Sequence, residues 1–125
     1  MTNLFAVYGV AITYDMAGCD GLNAGRAAAR KAIAAESLSA LRAAIKARRD
    51  RGLRMTDLPC GRYTEAHERK VGRLAGWLLG AGDELRLGAI AALNDGEIGW
   101  AKALVSVADY ALQASHALRV GLIRD

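Results

Sequence analysis

Along most of this chain apolar positions recur every three to four residues, the spacing that places them on one face of an α-helix. The pattern is clearest near the C-terminus. There Trp100, Leu104, Val107, Ala111, Ala114 and Leu118 share a face, and Lys102, Ser106, Asp109, Gln113 and His116 share the opposite one. Asn94, with Glu97 three residues on, reads as the capping box that opens this last helix. Upstream, Ala27, Ala34, Leu38, Leu41 and Ile45 fall within about 60° of one another at 100° per residue, which predicts one helix from Ala24 to Arg51. Gly52 followed by Leu53 reads as its C-terminal stop. Residues 53–63, which hold the only proline, then form the longest irregular link.

Thr64 is placed to cap a third helix, with Glu65 and Glu68 in the first turn, where the helix dipole favours carboxylates. Val71, Leu74, Leu78 and Ala81 form its apolar row. Ala81-Gly82-Asp83 reads as a break, with Asp83 starting a short helix to about Leu93. Residues 15–25, with Gly18, Gly21 and Gly25, read as a loop. Residues 4–14 (LFAVYGVAITY) are ambiguous. Their β-branched and aromatic content suits a strand, yet no second strand is visible to pair with one. A short helix is the favoured reading, a strand paired with another chain the alternative. The predicted fold is all-α, a compact bundle of four to five helices in one domain spanning residues 1–125.

Composition supports this reading. Hydrophobic residues are 53% and charged residues 24% of the 125, enough apolar surface to fold one core. The 26 alanines favour helix over sheet. Arginine outnumbers lysine 13 to 4, a bias of the kind a GC-rich genome imposes, so a single arginine carries little meaning. Cys19 and Cys60 form no CxxC pattern and suit a reduced, intracellular protein. Met16-Ala-Gly-Cys19 resembles a lipoprotein cleavage box, but no Lys or Arg precedes Arg26 and Asp15 interrupts the apolar run. With no apolar run near the ~20 residues of a transmembrane helix, the expectation is a cytoplasmic protein and no membrane partner.

Charge changes the picture most. Arg42, Lys46, Arg48, Arg49, Arg51 and Arg54 lie in one short stretch with a single acid, Asp50, giving it +5 in a chain whose total is +4. Arg42, Lys46 and Arg49 share a helical face, with Lys31 projecting near the same line. Cations near a helix C-terminus complement its dipole, which accounts for part of the cluster without any ligand. The rest suits contact with nucleic acid or with an acidic protein surface. No zinc-finger spacing, RNP aromatic pair or GxxG loop accompanies it, and no aromatic interleaves with the basic row in sequence.

Signals for chemistry are weak. Cys60 and His67 are the only nearby Cys–His pair, with Arg62 between them, but no group to orient the imidazole is evident. Cys19, Cys60, His67 and His116 lack zinc spacing. Gly18-x-x-Gly21-x-x-x-Gly25 fits neither dinucleotide nor Walker motifs. Glu65 and Glu68 lack the second carboxylate pair of a di-metal bundle. The expectation is therefore no enzymatic activity, cofactor or metal. Gly72, Gly76 and Gly80 lie in register on one face, which suits close approach of another backbone. The Ala-rich second helix is the favoured partner and a homodimer seam beside Trp77 the alternative.

These readings predict a small interaction protein that occupies a surface on a protein or protein–nucleic-acid assembly, with the basic segment 42–54 as its contact. Small, motif-poor chains of this composition occur among phage and mobile-element products, and an anti-CRISPR-like inhibitor of a bacterial defence complex is the expected type. A nucleic-acid-binding regulator using the same segment is the alternative.

Overall fold

The computed structural model describes residues 21–57 and 64–122, almost all of them helical. Four helices pack together: α1 (residues 21–34), α2 (Ser39–Thr56), α3 (Glu65–Asn94) and α4 (Ile98–Leu122). No strand occurs among the described residues. Residues 4–14, Gly18, Cys19, Cys60 and Arg62 lie outside them.

The frame is an antiparallel hairpin of α3 and α4. Ser115 of α4 donates its hydroxyl to the Ala75 carbonyl of α3 at 2.8 Å in the buried interface. Farther along, Gly82 faces Leu112 and Gly88 faces Leu104. The contacts run in opposite directions along the two chains, which is what antiparallel packing requires. Both α2 and α1 then lie on this frame. Gly52 of α2 sits against Leu118 and Gly121 of α4 against Thr56, so α2 runs parallel to α4. In the same way Gly21, Gly25 and Ile33 of α1 meet Arg73, Trp77 and Gly88, so α1 runs parallel to α3. Ile45, Val71, Leu78, Leu85, Leu104 and Leu118 are the large apolar side chains buried where the layers meet.

The amphipathic face read for α4 is present. Leu104, Val107, Ala111, Ala114 and Leu118 are buried and Trp100 is half-buried, while Lys102, Ser106, Asp109, Gln113 and His116 are exposed. Thr64 caps α3 as expected, accepting the His67 backbone N–H at 3.3 Å. The reciprocal bond, from the Thr64 backbone N–H, goes to His67 Nδ1 at 3.1 Å. Histidine thus fills the role that Glu or Gln has in the usual capping box.

Four boundaries differ from expectation. The single helix Ala24–Arg51 is two helices, broken at residues 35–38. Ser37 N–H bonds to the Ala32 carbonyl, Glu36 N–H to that of Ile33, and Glu36 takes φ 53°, together a Schellman ending. The break shifts the phase of the predicted stripe. Ala27 and Ala34 are exposed, and Gly21, Gly25 and Ala29 face inward instead. Gly52 does not stop α2, which continues through Leu53 to Thr56; the missing side chain makes room for Leu118. The predicted break at Ala81-Gly82-Asp83 does not occur, and α3 is continuous for 30 residues. Gly80 and Gly82 admit the Leu22 backbone and the Leu112 side chain, so they serve packing rather than interruption. Finally, Asn94 ends α3 rather than opening α4. A second Schellman turn follows, with Gly96 at φ 78° and Glu97 N–H bonded to the Ala92 carbonyl.

Candidate anion-binding surface

The buried edge of α2 carries Leu41, Ile45, Gly52 and Thr56. Basic residues flank this edge on both sides, because Arg49 and Arg48 lie roughly 50° to either side of its centre at 100° per residue. The six cations of the segment therefore divide among three places.

On the α4 side, the guanidinium carbons of Arg42 and Arg49 lie 5.6 Å and 5.2 Å from the Tyr110 ring centroid. Arg49 also donates through Nε and Nη2 to Asp50 Oδ1 at 3.1 and 3.0 Å. Lys46 Nζ stands 3.9 Å from Asp50 Oδ2. One carboxylate thus partly offsets two of the three cations in the row.

On the α3 side, Arg48 lies over Trp77, 3.8 Å from the ring centroid, and donates weakly to the Ala44 carbonyl at 3.4 Å. Burial, and then the neighbouring charge of Arg51, push the Arg48 guanidinium below its ordinary value. It remains a cation, since a guanidinium is not deprotonated in proteins. Arg48 and Arg51 face Lys70 and Arg73 of α3 across a pocket of about 420 Å³ whose floor includes Trp77. At the far end of α2, Arg54 lies apart, beside Asp57 and α4, in a shallow depression of about 480 Å³.

Two corrections follow. Aromatic rings do accompany the basic segment, but they come from α3 and α4, and each already has guanidinium over it. The sequence reading also missed Lys70 and Arg73. Their signal was Lys70-x-x-Arg73-x-x-x-Trp77, a spacing that puts all three on one side of α3.

The glycines read as a loop or phosphate motif have another place. Gly21 and Gly25 are helical and buried against the α3 backbone at Arg73 and Trp77. Gly72, Gly76 and Gly80 are all buried, and Gly80 meets the Leu22 backbone within the same chain. Trp77 is only 7% exposed. His67 is engaged in the α3 cap and His116 is exposed on the outer face of α4. Among the described residues no three His, Cys, Asp or Glu side chains gather as metal ligands. No described helix is long and apolar enough to cross a membrane. Comparisons with family models, curated proteins and solved structures find no match to this chain.

Proposed function

We propose that this chain is a non-enzymatic interaction protein that binds an acidic surface on a protein or protein–nucleic-acid assembly through Arg42, Lys46 and Arg49 of α2. The observation that carries this reading is the support of two guanidinium groups by one ring, Tyr110. Long cationic side chains lose about 2 kcal/mol of rotamer entropy when fixed, and an arginine already held against a ring has less left to lose on binding. The row from Arg42 to Arg49 covers about 10 Å of the helix axis at 1.5 Å per residue, two turns of one flank of α2.

An acidic protein is favoured over single-stranded nucleic acid. Binding of unpaired bases needs open aromatic faces, and here Arg48 covers Trp77 while Arg42 and Arg49 cover Tyr110. The test is a fluorescence titration with a labelled poly-glutamate peptide, duplex DNA and single-stranded RNA at low and near-physiological salt. Peptide binding that survives the higher salt and is lost on replacing Arg42, Lys46 and Arg49 by alanine supports the reading. Nucleic acid bound in preference to peptide, with affinity falling steeply with salt, replaces it with a nucleic-acid regulator. Failure to bind any of the three at either salt overturns both.

A further inference from the structure

Five of the described cations have an acidic partner in the ion pairs of this fold. Arg26 stands 3.9 Å from Asp83, Arg30 3.0 Å from Glu84 and Arg69 2.8 Å from Glu65, and Asp50 serves both Lys46 and Arg49. The cations of the α3-side pocket are not among them, and they are gathered around one concavity. Arg48, Arg51, Lys70 and Arg73 line it together, no acidic residue is among its described lining, and none of the four has an ion-pair partner among the described residues. Four like charges around one concavity repel one another, and no acidic side chain among the described residues pairs with them.

We propose that this pocket, between the end of α2 and the first half of α3, is a binding site for a small, free, multiply charged phosphate of the pyrophosphate or tripolyphosphate type. The proposal goes beyond the interaction reading and concerns a different face, so either can fail alone.

Three features select the ligand class. The first is charge. A single carboxylate offsets one cation of four, whereas a short phosphate chain brings several charges in one compact group. The second is donor geometry. Three guanidinium forks match the spacing of phosphate oxygens and the Lys70 ammonium adds a mobile point charge. The third is size. A pocket of about 420 Å³ lies in the range of small-molecule sites, roughly 300–1,000 Å³, rather than that of a macromolecular interface. Arg48 also covers the face of Trp77, so a ring on the ligand gains nothing there and recognition rests on the phosphates.

Isothermal titration of the full chain at near-physiological salt tests this, using tripolyphosphate, pyrophosphate, sulfate and citrate as probes. One-site binding is expected, tightest for tripolyphosphate and then pyrophosphate. Citrate, a carboxylate anion of similar charge, should bind about tenfold or more weakly than pyrophosphate. Arg51→Ala and Arg73→Ala change exposed helical positions, so each variant should keep its far-UV circular dichroism. Each should weaken tripolyphosphate binding about ten- to hundredfold, the loss expected for a charge-assisted bond. Arg42→Ala and Lys46→Ala should leave it unchanged. Three results overturn the proposal: no saturable binding, citrate or sulfate bound as tightly as pyrophosphate, or an equal loss from the Arg42 and Lys46 variants.

Discussion

Gly25→Ala tests the seating of α1, the helix whose first described turns wall the α3-side pocket. In an open helix this change would gain about 1 kcal/mol. Here the new Cβ would stand 2.8 Å from the Trp77 carbonyl carbon and 3.0 Å from the Ala81 nitrogen, and closer still to the Trp77 oxygen. All three are backbone atoms of α3, which cannot rotate away as a side chain can. Unstrained carbon contacts begin at about 3.5–4.0 Å, so α1 must retreat by about 1 Å. A gap of that size forfeits a quarter to a half of the dispersion well at every facing contact. The residues affected are buried Ala29 and half-buried Ala28, Ala32 and Ile33. Overpacking of this kind costs about 1–3 kcal/mol, and with the lost contacts it outweighs the propensity gain. The expected net change is about 2 kcal/mol of destabilisation. Gly99→Ala is the internal comparison, because nothing lies within 4 Å of its added Cβ, and it should stabilise by about 0.5–1 kcal/mol. Urea unfolding followed by the fluorescence of Trp77 and Trp100 measures both. If Gly25→Ala matched Gly99→Ala in sign, the close contact of α1 with α3 would be refuted.

Four further outcomes follow from the same geometry. Glu36→Gly should stabilise by about 1 kcal/mol in a thermal melt, since Glu36 holds the left-handed conformation that costs an L-residue roughly that much. Ser115→Ala should cost about 1 kcal/mol in urea unfolding, the net worth of its buried hydrogen bond to Ala75. Glu68→Gln should stabilise slightly at neutral pH. Burial first, and then Glu65, raise the Glu68 carboxyl above its ordinary value, so the fold favours its protonated form and loses that preference as pH rises through the raised value. The advantage of the glutamine should therefore vanish in acid, and a pH series of melts would show whether it does. Arg48→Met should leave stability within about 1 kcal/mol while weakening tripolyphosphate binding about tenfold; it loses the cation–π contact but keeps an apolar cover on Trp77 and removes a charge beside Arg51. Urea unfolding and calorimetry of one preparation would read both numbers.

What could be read from the sequence was local. The buried face of α4 and the Thr64 cap were legible because each depends on side chains within a few turns of one another. Helix boundaries were harder, for opposite reasons in two places. At Glu36 the chain turns left-handed without a glycine to announce it, so two helices read as one. At Gly80 and Gly82 glycines that make space for Leu22 and Leu112 read as a break. The contacting residues are tens of positions away, and nothing local distinguishes a glycine that ends a helix from one that lets another helix approach.

The basic segment shows the same limit more sharply. Its charge and the common face of Arg42, Lys46 and Arg49 were visible, but helical phase says only which residues share a side. Tyr110 supports that side and Asp50 tempers it. Lys70 and Arg73 instead join Arg48 and Arg51 on the other flank, leaving four cations without an acid among the described residues. Surface ion pairs are worth little to stability, about 0–1 kcal/mol each, so the pairing of Arg26, Arg30 and Arg69 demands no explanation. The gathering of four cations around one pocket does. Arg48 is desolvated over Trp77 beside the like charge of Arg51, an arrangement that a methionine could replace with the same apolar cover and no repulsion. A bound phosphate would offset that repulsion, and the contrast between stability and affinity in Arg48→Met is the measurement that separates binding from chance.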